Sequence, residues 1–317
     1  MWSTRALASR RRVDLLDFAD LDPCHGLEWM RERFGAGVTR RMLQPTVNGL
    51  FFQDVAGGSA VLPGSLVAFS ARGPKAFTLR GGLGSLTSAL AATLDVEYDV
   101  QVERVERPGS RGGAVTLTTS RGVRNAGAVV ITTPAGPSTA MLADPTPDEA
   151  AVLRTSYSSV VLVGLALEER LAAGELGGAY GVLVSPESSS PLAALAVHSR
   201  ADPAAGGEVI TVMFGHDAAQ RLMSADDETV RAAAVEALAP VLPGLPGRVT
   251  DSHIARWPEA LPYLHVGLAA AVRRYRERLP VGSAVLLAGD HLGLPWSDAA
   301  AFNGRWAADR LIADRAS

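Results

Sequence analysis

The residues best placed for chemistry sit near the end of the chain. An uninterrupted apolar run, Ala284-Val285-Leu286-Leu287-Ala288, stops at Gly289-Asp290. Such a run predicts a buried strand. An aspartate at its carboxyl end can accept hydrogen bonds from ribose or ribityl hydroxyls. After a loop carrying Leu292-Gly293-Leu294-Pro295-Trp296, a predicted helix opens at Ser297-Asp298-Ala299 and runs to about Ala313. A helix start offers backbone N–H groups and a positive dipole end to an anion or an electron-rich carbonyl. Ser297 or Asp298 serves equally as a plain N-cap. A second cluster, Gly81-Gly82-Leu83-Gly84, lets backbone pass close to a ligand or to another element. It is not a Gly-x-Gly-x-x-Gly dinucleotide loop, because the third glycine position is Thr87.

Other chemistries are excluded by what is missing. The histidines are His25, His198, His216, His253, His265 and His291. None pairs with another, or with Cys24, at metal-ligand spacing, so most read as structural. There is no Gly-x-Ser-x-Gly elbow and no Walker loop. Lys75 is the only lysine and the other 29 of the 30 cations are arginine, which leaves almost no lysine for Schiff-base or proton-relay chemistry. The net charge of -3 gives no basic surplus for a phosphate backbone, so nucleic acid is not an expected partner. With one cysteine no internal disulfide forms, and a reducing cytoplasm is the expected compartment. The arginine-rich start, Met1 to Arg12, lacks the apolar core of a secretory signal. No stretch reaches about 18 uncharged apolar residues, so no transmembrane segment is expected.

The elements that must position these residues follow from pattern. A length of 317 residues suggests about two domains. Residues 1–50 read as helical, with Leu27, Met30 and Phe34 at helical spacing and a stop at Gly35 and Gly37. Residues 54–75, rich in Gly, Pro and Ser, read as a loop. A helix of small and apolar residues follows over Ser85 to Leu94. Strand-like runs cover Tyr98 to Val105, Ala114 to Thr119 and Ala128 to Thr132, with turns at Gly109, Gly112, Gly113 and Gly122. Val160 to Leu167, Ala179 to Val184, Ala193 to Ser199 and Val209 to Phe214 read as strands of one sheet. Asp227 to Leu238 reads as a helix with an acidic first turn, and Arg248 to Trp257 as a further strand.

Four stretches in this order resemble the flavin-containing amine oxidase superfamily, most closely its protoporphyrinogen-oxidase-like branch. They are Trp29-Met30 through Gly35 with Gln44-Pro45-Thr46-Val47-Asn48-Gly49; Arg80-Gly81-Gly82-Leu83 with the helix at Ala89-Leu90-Ala91; Val102-Glu103-Arg104-Val105 with Val129-Val130-Ile131-Thr132-Thr133-Pro134-Ala135; and Arg256-Trp257-Pro258 through Tyr263 with Leu287-Ala288-Gly289-Asp290-His291-Leu292-Gly293 and Asn303-Gly304-Arg305-Trp306. The resemblance implies a mixed α/β fold: a remnant of a Rossmann-like FAD domain over 76–145 and 255–317, and a substrate domain with a mixed or antiparallel sheet over 1–75 and 146–254. It implies that Val102 contacts adenine through its backbone and that Gly289 and Asp290 hold the ribityl-phosphate part of FAD. Ser297, Asp298 and Ala299 would face the flavin N1–C2=O side, Gly81 and Gly82 would lie near the isoalloxazine, and Trp257 near the substrate. The family's opening βαβ unit with its pyrophosphate loop is expected to be absent, and its lysine near flavin N5 has no counterpart, since Lys75 matches no motif. The implied activity is an FAD-dependent oxidation of a hydrophobic or ring-containing small molecule. A partner chain or a second copy would complete the FAD site. The alternative is a flavin-free binding protein, or a cyclase or isomerase, derived from this fold. The same resemblance implies contact with a membrane surface, although no basic amphipathic helix in the sequence supports it.

Overall fold

The structure is a computed structural model and describes residues 14–316 apart from 72, 74–78, 80, 110–112 and 204–205. The arginine-rich start, Lys75, Phe77, Thr78, Arg80 and Gly112 thus lie outside the described residues. In chain order the elements are α1 (Gly26–Val38), α2 (Gln44–Phe51), α3 (Val61–Ser70), α4 (Gly84–Ala91), β1 (Val102–Glu106), β2 (Val115–Thr119), β3 (Gly122–Ala126), β4 (Val129–Ile131), α5 (Ala135–Met141), α6 (Pro147–Val152), β5 (Tyr157–Leu167), β6 (Gly181–Leu183), β7 (Leu192–Val197), α7 (His198–Ala201), β8 (Glu208–Phe214), α8 (His216–Leu222), α9 (Asp227–Leu238), β9 (Val249–Pro262), α10 (Leu268–Arg278), β10 (Val285–Leu287) and α11 (Ser297–Ala316). The result is the expected mixed α/β fold, with helices and both antiparallel and parallel sheets. The chain divides into two compact units, one of residues 1–19, 64–154 and 269–317, the other of residues 20–63 and 155–268.

The second unit is built on a five-stranded antiparallel sheet in the order β6-β7-β8-β5-β9. Its strands alternate. Val161, Val163, Leu165, Leu195, Val197, Ile210, Val212 and Phe214 face one side and are fully or almost fully buried with Val230, Ala234 and Leu238 of α9. Burying a side chain of this size contributes about 2 kcal/mol, so this face fixes the register of the sheet. α9 begins where the sequence places it. Asp226 caps it by accepting the Thr229 N–H at 2.8 Å, and Asp227 and Glu228 complement the dipole. The opposite face of the sheet is half-exposed, with α2 packed over its β6–β7 end: a Cβ on Gly49 would lie 2.6 Å from Leu183 and 3.0 Å from the Ala193 carbonyl.

Two expectations need correction. Gly35 does break the helical backbone (φ 77°, ψ 160°), but the chain resumes and passes through a π-helical turn, Thr39–Leu43, into α2. The predicted loop over 54–75 contains α3. Val61, Leu62, Leu66 and Ala68 are buried there, and apolar burial overrides the low helix propensity of Pro63 and Gly64.

The first unit holds a parallel pair, β4 with β10, in register Val129↔Val285, Val130↔Leu286 and Ile131↔Leu287. An antiparallel sheet β1-β2-β3 lies in the same unit. β3 is absent from the sequence reading because Gly-Val-Arg-Asn-Ala is polar and mostly exposed, with no apolar alternation to betray it. α4 stands apart in character. It has no buried residue, and Leu83, Leu86, Leu90 and Leu94 are 74%, 53%, 58% and 66% exposed.

Candidate functional site

Two of the sequence-predicted residues come together at the carboxyl end of the parallel pair. Ala288 donates its N–H to the Ile131 carbonyl at 2.9 Å, and the chain then turns at Gly289 (φ 133°). A Cβ there would meet the His291 Nδ1 at 3.1 Å and the Thr132 carbonyl at 3.5 Å. Backbone conformation favours glycine at this position, and the tight space reinforces it. Beside β4 runs a groove of about 610 Å³ lined by Val102, Val105, Ile131, Thr132 and Thr133. Val102, at the start of β1, therefore shares a groove with the strand end that abuts Gly289.

Asp290 opens a short 3₁₀ turn, Asp290–Leu292, and burial raises its carboxyl above the usual aspartate range. The loop then folds back on α11. Asn303 donates from Nδ2 to the Gly289 carbonyl at 2.8 Å, and its Oδ1 accepts from Arg276 of α10. Arg276 also donates to Asp14 at 3.2 Å and stacks on Phe302 and Trp306, 5.6 and 5.2 Å from their ring centroids. Planar guanidinium geometry permits all of these contacts at once. Gly293 is constrained by space alone, since a Cβ would lie 2.8 Å from Asn303 Nδ2 and 3.0 Å from the Ala299 Cβ. This chain of contacts fixes Gly289 and Asp290 on rigid elements. Arg276 was missed in the sequence because its role depends on α10 meeting α11.

The start of α11 is less open than a bare helix N-terminus. Asp298 accepts the Ala299 N–H at 3.0 Å, and the same N–H approaches the Trp296 carbonyl at 3.2 Å. Burial raises the Asp298 carboxyl, and the hydrogen bond from Ala299 partly opposes it. Ala299 is buried, while Ser297 is exposed. Gly81 (φ 83°) and Gly82 (φ 84°) form an exposed left-handed turn before α4, with no packed neighbour that would explain them. Trp257 lies on β9 opposite Val160, on the half-exposed face of the second unit's sheet, and is 53% exposed.

His291 is fully buried, with neither ring nitrogen hydrogen-bonded, and burial pushes its pKa down to about 4. It is a neutral packing residue. Among the described residues no group of three or more His, Cys, Asp or Glu is placed to hold a metal ion. Among them, too, no helix is long and apolar enough to cross a membrane.

The profile of the family described as flavin-containing amine oxidoreductase matches residues 5–312. No curated protein matches the chain. Among solved structures, a protein from Exiguobacterium sp. 255-15 provisionally assigned as a protoporphyrinogen oxidase is similar, with a TM-score of 0.70 and 19% identity over 91% of this chain and 67% of that one. Cyclohexylamine oxidase from Brevibacterium oxydans IH-35A gives a TM-score of 0.72 and 17% identity over 99% and 74%. A fatty acid isomerase from P. acnes that produces CLA gives 0.72 and 15% over 97% and 72%. At these identities the likeness is one of fold.

Proposed function

The chain belongs to the flavin-containing amine oxidoreductase family, and we propose that it acts as an FAD-dependent oxidoreductase on a hydrophobic or ring-containing small molecule. The observation that carries this reading is the parallel pair β4–β10 ending at Gly289-Asp290, with α11 starting one loop later. In open α/β sheets, ligands bind outside the carboxyl ends of the strands.

The residues present fit the ribityl and isoalloxazine half of FAD. Gly289 has a φ of 133° that strains any side chain, and the glycine there leaves backbone that could approach a ligand closely. Asp290 is a half-buried carboxylate suited to ribityl hydroxyls. Ser297, Asp298 and Ala299 would bring the start of α11 to the flavin N1–C2=O side, where negative charge would build. Val102 would offer backbone to the adenine end, Gly81 and Gly82 would approach the isoalloxazine, and Trp257 would flank the substrate. The 317 residues contain no Gly-x-Gly-x-x-Gly, so the pyrophosphate half has no matching residues among them. FAD, when bound, supplies the two-electron acceptor, and the protein supplies orientation and electrostatics. The first unit takes the cofactor role and the second the substrate role. A partner chain or second copy would seat against the exposed leucines around α4 and the edge of β4 that pairs with no strand among the described residues, to complete the site. The lone cysteine, Cys24, is exposed and fits a reducing cytoplasm.

The test is the near-ultraviolet and blue absorbance of the purified chain, before and after FAD titration and gel filtration. Flavin bands that co-elute with the protein, and that weaken in Asp290→Ala, are the expected result. A folded protein that retains no flavin overturns the reading. It would favour the second one, a flavin-free binding protein or a cyclase or isomerase, for which the fold shared with a fatty acid isomerase is the supporting observation.

A further inference from the structure

The two edges of the second unit's sheet are unlike. β9, at one edge, carries Asp251, Arg256 and Glu259 together with Pro258 and Pro262. Charges and prolines of this kind keep an edge strand from pairing with another chain. β6, at the other edge, carries none. From Leu176 to Pro186 no side chain is charged, and the proline comes after the strand.

The main chain of β6 is open on its outer side. Val197 donates to the Tyr180 carbonyl at 2.7 Å, and Val184 donates to the Ala193 carbonyl at 2.9 Å. With the register Gly181↔Ala196, Val182↔Leu195 and Leu183↔Ala194, these bonds direct the main-chain groups of Tyr180, Val182 and Val184 toward β7. The N–H and C=O groups of Gly181 and Leu183 therefore point the other way, where β6 pairs with no strand among the described residues. Both residues are exposed.

The side chains beside that edge are apolar. Val182 and Val184 face the α9 side of the sheet and, with Leu195, Ala237 and Val241, line a cavity of about 690 Å³. Tyr180 is 52% exposed and Val241 55%. Leu183 faces the opposite side, toward Gly49.

We propose that β6 is an edge that pairs with itself: two copies of the chain join antiparallel through it, about a two-fold axis at Val182, and their sheets become continuous. The register follows from the outward groups. Gly181 of one copy exchanges both main-chain bonds with Leu183 of the other, and the reverse, giving four bonds. Tyr180 then lies across from Val184 of the other copy, an aromatic against a β-branched side chain, on the face that holds the cavity. On the other face Leu183 lies across from Gly181, large against small. A two-fold contact sets a surface against its own kind, so a charged edge would repel itself and this uncharged one does not. The contact is short and falls below the roughly 1,200–2,000 Å² of a standard interface, so a dissociation constant of about 1–100 µM is expected. The proposal concerns residues of the second unit alone and does not rest on the function proposed above.

The full chain is sedimented at concentrations up to about 0.2 mM, where a monomer–dimer equilibrium in that range is expected. Gly181→Pro removes an outward N–H and breaks no bond to β7, and a Cβ at this position meets only the Leu195 carbonyl at 3.5 Å. It should weaken the dimer by about tenfold or more with an unchanged melting temperature. Cysteine reads the register separately. In a Cys24→Ser background, Val182→Cys should form a disulfide between copies on mild oxidation, because the axis puts the two positions about 4.5 Å apart. Val184→Cys in the same background should not, because its two positions would stand roughly 13 Å apart. The cysteine variants decide the matter if Gly181→Pro unfolds. A dimer that Gly181→Pro leaves intact, or equal cross-linking of Val182→Cys and Val184→Cys, overturns the proposal. So does a chain that stays monomeric throughout, which would leave this edge to an extended peptide of another protein.

Discussion

The phenolic hydroxyl of Tyr275 accepts the main-chain N–H of Leu287 at 2.8 Å. Through this contact α10 closes the edge of β10 that does not face β4. Tyr275 and Leu287 are both fully buried, and burial raises the phenol pKa well above its ordinary value. The hydroxyl therefore stays protonated and does the work of an absent neighbouring strand on one side of the pair. Among the described residues β4 pairs with no strand on its other side, where the groove lies.

Replacing Tyr275 by Phe keeps the ring and removes that acceptor. A buried N–H is left without a partner, which costs about 1–3 kcal/mol. The expected outcome is a lower urea midpoint with an unchanged m-value. Stability equal to wild type would show that water or a shifted carbonyl takes over the Leu287 N–H.

The buried His291 makes stability depend on pH with a definite sign. Its folded pKa, about 4, lies below the unfolded value near 6.5, so the unfolded chain takes up the proton first. The stabilisation is present above pH 6.5 and is lost as pH falls through the interval toward 4, by on the order of 3 kcal/mol at most. Urea unfolding at several pH values, compared between wild type and His291→Leu, isolates this slope. Parallel curves for the two proteins would rule it out.

Glu149 is a second point of vulnerability. Its carboxylate accepts from the Thr146 N–H at 2.8 Å, completing a capping box at the start of α6, and receives Arg107 at 2.5 and 2.6 Å. Glu149 is almost wholly buried while Arg107 keeps some solvent contact. Glu149→Leu is expected to cost about 3 kcal/mol, because the cap and the counter-charge are lost together. Arg107→Met should cost a comparable amount by stranding the carboxylate. A double variant less damaging than the sum of the singles would confirm the coupling.

Gly289→Ala tests the turn that carries Asp290. The φ of 133° is disfavoured for alanine, and its Cβ would press on the His291 ring at 3.1 Å. A loss of about 2–3 kcal/mol is expected. Full stability in this variant would mean that the loop has an alternative backbone path.

The sequence was most informative where burial and periodicity coincide. α9 was legible from Asp226 to Leu238, because the cap, the acidic turn and the apolar spacing agree. β5, β7 and β8 were legible as apolar runs, and Gly289-Asp290 as the end of one. α3 was hidden by its own Pro63 and Gly64. The Arg276–Asn303–Gly289 connection was hidden because it joins positions far apart in the chain.

An eight-residue helix in water falls short of the roughly 12–15 residues at which an isolated helix becomes even marginal. α4 has no buried side chain to supply what its length does not. Its amides should exchange with deuterium almost as fast as those of a free peptide. Leu286 and Leu287, fully buried in β10, should exchange only when the whole unit opens. One small unit would then contain both extremes of protection, and the exchange map would trace how far cooperative order reaches from β10 toward the leucines of α4.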